Sequence, residues 1–141
     1  MVHALGRMRG WLKPDGCLVD VRPAELVPAV EIGAPGREPR IAGLLVVQEA
    51  RRVRHAAADR ALADVLARKL FRLEQAREFT FLRYADSARE LQEHIATRWQ
   101  DTRMDDATRV RADGMLAGDR NARLWLRERV GMRSLRIAES R

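Results

Sequence analysis

Apolar residues in this chain change their spacing several times, and each change predicts an element. Leu5, Met8 and Leu12 recur at three- and four-residue intervals, the mark of one helix face. Pro14 ends that helix, because the residue before a proline is pushed out of the α region, and Asp15-Gly16 turns the chain. Cys17-Leu18-Val19-Asp20-Val21 follows as a mostly apolar run between turn signals, which predicts a buried strand with Cys17 inside it. Residues 26–32 and 41–47 are apolar runs around Gly33-Ala34-Pro35-Gly36, so a hairpin-like excursion is expected. From Gln48 to Phe71 the spacing turns helical. Val47, Ala50, Val53, Ala57, Ala61, Val65 and Leu66 fall near one stripe, and Asp64 and Arg68 stand one turn apart.

Glu78-Phe79-Thr80-Phe81-Leu82-Arg83-Tyr84 is dense in aromatic and β-favouring residues and predicts a strand. Asp86 or Ser87 can cap a helix starting near Ala88, with Glu90 completing a capping box and Leu91, Ile95 and Trp99 spaced by four. A short helix is expected from about Asp105 to Leu116, closed by Gly118. Residues 122–138 form a long strand with Leu124, Leu126, Val130 and Met132 on one face. Leu135 and Ile137 have the other parity, so a bulge at Gly131 or Ser134 is expected to reset the register.

Leu12-Lys13-Pro14-Asp15-Gly16 ahead of a strand resembles the turn before the fifth strand of class I S-adenosylmethionine-dependent methyltransferases. The series that follows is similar too: a long helix, the strand ending at Tyr84, a helix ending in Trp99, and a last long strand. The resemblance implies an α/β fold over residues 1–141, a single domain equivalent to the C-terminal half of that family. It would be a truncated Rossmann-like sheet with strands equivalent to the fifth, sixth and seventh, packed helices, and the hairpin-like excursion. In that family the last strand inserts beside the fifth.

By the same resemblance, residues at the carboxyl ends of the strands face substrate, which makes Asp20, Arg22 and Tyr84 candidates. The residues themselves also allow a plainer account, with Arg22 in a surface pair with Glu25 or Glu31 and Tyr84 a half-buried strand aromatic. Methyl transfer needs placement more than acid–base groups, so no catalytic residue is named. No G-x-G-x-G loop occurs in the sequence. The chain alone is therefore expected to bind no cofactor and to be inactive, with S-adenosylmethionine bound only if the missing half is supplied by a partner chain.

Composition narrows this further. At 141 residues with 46% apolar content, one domain with a real core is feasible. No run of 18 apolar residues and no charged-then-apolar leader is present, so neither a membrane span nor a signal peptide is expected, and the cytoplasm is the expected compartment. The single cysteine excludes a disulfide framework. The net charge is +7, and every one of the 27 basic residues except Lys13 and Lys69 is arginine, mostly interspersed with Asp and Glu as on solvated helix faces.

One basic cluster stands apart. Arg123, Trp125, Arg127 and Arg129 share a face of the last strand, with Arg133 further along, and could track a phosphate backbone and stack a base. Set against that nucleic-acid reading, the same arginines can lean over Trp125 and pair with Glu74, Glu78 or Glu128, which is the favoured account. His3, His55 and His94 are scattered, and no metal-ligand spacing appears. Finally, a first strand without its neighbour presents an open edge. That predicts a homodimer through this strand or its uncovered face, and a second functional reading as a non-catalytic interaction module.

Overall fold

Alternation along one long strand organises the pairing in the computed structural model, which describes residues 2–138. The elements are α1 (Val2–Trp11), β1 (Cys17–Pro23), β2 (Ala29–Gly33), β3 (Arg40–Leu44), β4 (Val46–Val47), α2 (Glu49–Ala67), β5 (Phe71–Ala85), α3 (Ala88–Arg98), β6 (Thr102–Arg103), α4 (Asp106–Ala117) and β7 (Arg123–Ile137). The main sheet runs β1-β7-β2-β3, β5 also pairs with β7, and β4 and β6 form a separate ladder. The fold is α/β, and the β1–β7, β2–β7, β2–β3 and β4–β6 pairings are all antiparallel. Among the described residues no helix is long and apolar enough to cross a membrane.

The chain forms two compact units, one holding residues 2–24, 50–79 and 130–138, the other residues 25–49 and 80–129. In the first unit Leu62, Val65, Phe71 and Leu135 make the core, and Leu5, Leu12, Leu18 and Ile137 pack against it. The expected helix over 48–71 stops earlier, at Ala67. Lys69 takes a left-handed backbone with φ 54°, and the Leu70 amide bonds back to the Val65 carbonyl at 3.0 Å. That turn releases Phe71, which opens β5 well before Glu78 and is buried. The Lys13–Gly16 turn closes through Gly16 N–H to the Lys13 carbonyl at 2.9 Å. Arg136 Nη1 clamps it by donating to the Asp15 carbonyl at 2.7 Å.

The structure departs from two of these expectations. Cys17 is exposed, and β1 alternates instead of being buried on both faces. Val19 and Val21 are 50% and 55% exposed. The reason is one-sided cover: the core meets Leu18, and α2 meets the side of Asp20 and Arg22, leaving the other side of β1 bare. The bulge is also absent from the β1 ladder, which runs unbroken from Cys17 opposite Arg136 to Pro23 opposite Val130. No reset is needed, because the two leucine parities of β7 serve different cores.

In the second unit Leu124 and Leu126 join Val30, Ile32, Ala42, Leu91, Ile95 and Ala112. The excursion forms the β2–β3 hairpin, and β2 lies along β7 from Ala29 opposite Arg127 to Gly33 opposite Arg123. Ser87 caps α3 by accepting from Glu90 N–H at 3.1 Å, while the Glu90 carboxylate reaches back to Asp86 N–H at 2.7 Å. Asp105 caps α4 by accepting from Thr108 N–H at 2.7 Å, and its hydrogen bonds to Thr108 hold its carboxyl below the usual range.

Glu74 carries the first unit's clearest pH dependence. It accepts from Arg136 Nε and Ser134 Oγ, and these bonds, the arginine's first, lower its pKa. A carboxyl depressed in the folded state adds stability above its unfolded pKa and loses it as pH falls through the folded one. Urea midpoints measured from neutrality into acid should therefore fall more steeply for the native chain than for Glu74→Gln, the two curves converging at the acid end.

Candidate functional site

The carboxyl end of β1 opens onto a cleft of about 330 Å³ in the first unit. Strand alternation puts Asp20 and Arg22 on one face of β1, and the ladder sets Asp20 opposite Arg133 and Arg22 opposite the side-chain-free Gly131. From α2, His55 and Asp59 stand one turn apart and face the same place. Arg22 Nε lies 2.9 Å from both carboxylate oxygens of Asp20, and its Nη2 is 3.1 Å from Asp59 Oδ1. Arg133 Nη1 approaches the same two acids more loosely, at 3.6 and 3.7 Å. Arg22 Nη1 is shielded from solvent and has no hydrogen-bond partner among the described residues.

His55 sits at 2.9 Å from the Pro23 carbonyl through Nε2 and 3.3 Å from Asp59 Oδ2 through Nδ1. A carbonyl only accepts, so Nε2 carries its proton to Pro23 and Nδ1 is turned toward Asp59. Nε2 is thus committed to the Pro23 carbonyl, and Nδ1 can bond Asp59 only when it too carries a proton. The cleft is a set of mutually neutralised charges that can hold and orient a polar group; it carries no thiol or hydroxyl nucleophile. Among the described residues no group of His, Cys, Asp or Glu side chains could hold a metal ion.

Asp20 and Arg22 therefore meet, but Arg22 does not pair with Glu25 or Glu31. Its partner Asp59 comes from α2, and the available signal was the four-residue spacing of His55 and Asp59 on a predicted helix. Glu31 belongs to the second unit, where it is only 4% exposed and lies opposite Trp125. Trp125 Nε1 donates to its Oε2 at 2.9 Å, and Arg127 Nη2 reaches the same oxygen at 2.9 Å. Of the clustered β7 arginines, Arg127 thus pairs with Glu31 and Arg133 with Asp20 and Asp59, acids other than the three expected, while Glu74 is taken by Arg136. The Trp125 ring fills the space where Gly33 would carry a side chain. Tyr84 leans on that ring, centroids 5.8 Å apart at 59°. Tyr84 and Arg123 line a second cleft, of about 420 Å³. Arg129 lies further along the strand on the same face.

No family model matches this sequence, and no curated protein or solved structure does so either.

Gly33 is the most exacting position at this second site, because an added Cβ meets the indole of Trp125 directly. Trp125 is held by the buried Glu31 and cannot swing away without breaking a charge-assisted bond. Gly33→Ala should cost about 1–3 kcal/mol, the usual range for overpacking, read as a lowered urea midpoint with an unchanged slope.

Proposed function

We propose that these 141 residues are the substrate-side half of a class I methyltransferase-like protein, silent until a cofactor-binding segment outside them is supplied. The observation that carries this reading is the position of β7. It is laddered antiparallel to β1 and is paired with β5 as well. The resemblance in the sequence calls for a last strand inserted beside the fifth, and β1 followed by α2, β5 and β7 supplies that series. The parallel strands of a doubly wound sheet would come from the segment outside, which accounts for the antiparallel character of the pairings here. The bare flank of β1, with Cys17, Val19 and Val21, also suits a strand built to be covered. On this reading the cleft around Asp20 and Arg22 positions the methyl acceptor, and no glycine-rich loop is present to hold the donor. Calorimetric titration of the chain with S-adenosylmethionine should give no isotherm tighter than that of adenosine alone; a clearly tighter one means that the chain holds the donor unaided, and overturns the proposal.

The exposed Val19 and Val21 favour a second reading, a non-catalytic module that pairs with its own copy through β1. Two copies set antiparallel about Val21 bring Asp20 opposite the partner's Arg22 on both sides of the two-fold, a cross-strand charge match. Sedimentation velocity at micromolar concentration should then show a dimer that Val21→Lys converts to monomer, since like charges directly opposite destabilise pairing. A wild-type monomer at that concentration sinks the dimer.

A further inference from the structure

We propose that the second unit holds a nucleotide site, with the base stacked on Tyr84 and the phosphate held by Arg120 and Arg123. The three side chains converge on one cleft of about 420 Å³, within the roughly 300–1,000 Å³ typical of small-molecule sites. Tyr84 is 60% exposed, an unusual state for a strand aromatic with no solvent-side cover. Its ring is nevertheless fixed from behind: Trp125 backs it, and Trp125 is itself pinned by Glu31 and by the bare Gly33. An exposed aromatic face that is already backed by a second ring has less freedom to lose on binding, which is what a stacking platform requires.

Charge in the cleft selects an anion. Arg37 is engaged by Asp119 at 3.0 Å, so that pair is internally neutral. Arg120 and Arg123 have no acidic partner among the described residues, whereas Asp86 is the one carboxylate of the lining left over. Two spare guanidinium groups against one carboxylate favour a ligand carrying a phosphate, which guanidinium groups grip through paired donors. Asp86 can accept from ribose hydroxyls. An aromatic ring joined to a phosphate is the ligand that satisfies both ends of the cleft at once, and a nucleotide supplies it. The inference does not rest on the methyl-transfer reading, because it uses only the side chains that line this cleft.

The same chemistry is offered by a free nucleotide and by an unpaired residue of a single strand. Calorimetric titration with AMP, adenosine and inorganic phosphate should rank AMP tightest. Tyr84→Ala should weaken AMP by about tenfold, within the range alanine substitution gives for one stacked base, while Tyr84→Phe keeps the affinity. Arg123→Gln should weaken AMP and leave adenosine unchanged. Circular dichroism of each variant controls for folding, and the Phe variant keeps the test decisive if the alanine variant misfolds. AMP binding no tighter than adenosine or phosphate, or undiminished in Tyr84→Ala, overturns the site. A short oligoadenylate binding more tightly than AMP with steep salt dependence supports the site and identifies a single strand as its source. Equal affinity supports it and identifies the free nucleotide.

Discussion

The two-residue period of β7 is the constraint on which the rest of the molecule depends. Side chains alternate across a strand, so a run of fifteen residues offers two faces and no third. In the second unit the even-numbered Leu124 and Leu126 are buried, whereas in the first the odd-numbered Leu135 is buried and Ile137 packs beside it. Each core claims a different parity of one unbroken strand. The opposite parity in each unit is left to polar chemistry: Trp125 and Arg127 around Glu31 in one, Ser134 and Arg136 around Glu74 in the other.

Most elements were legible because their signals are local. The Ser87–Glu90 cap, the Asp105 start of α4, the Gly33–Gly36 turn and the Asp64–Arg68 pair each follow from residues within a few positions of one another. What escaped was non-local. Nothing near Cys17 reveals that helices cover only one side of β1, and an apolar pentapeptide reads the same whether one flank or both are packed. The parity change along β7 reads as a bulge only when a single core is expected to serve the whole chain. Leu62, a core residue of α2 one turn before Leu66, is not among the expected stripe residues.

The candidate sites were legible by residue more than by partner. Asp20, Arg22, Tyr84 and Arg123 all line clefts, but the groups that define their chemistry come from distant elements. Asp59 and His55 reach β1 from α2, and Glu31 reaches Trp125 across a strand pairing. Glu31 explains why the β7 face is less open than its sequence suggests: one buried carboxylate oxygen takes both the indole N–H and a guanidinium. The charge left over collects on Arg120 and Arg123, just before and at the start of β7, which have no acidic partner among the described residues.

The shared strand also limits how this chain can change in length. Between Arg127, the last residue laddered to β2, and Val130, the first laddered to β1, lie only Glu128 and Arg129. One extra residue there would exchange inside for outside in whichever half yielded, turning either Leu135 or the Leu124–Leu126 pair toward water. A two-residue insertion would restore the parity of both. Lineages carrying this strand should therefore tolerate length variation at that joint in even steps, while the β2–β3 turn is under no such arithmetic.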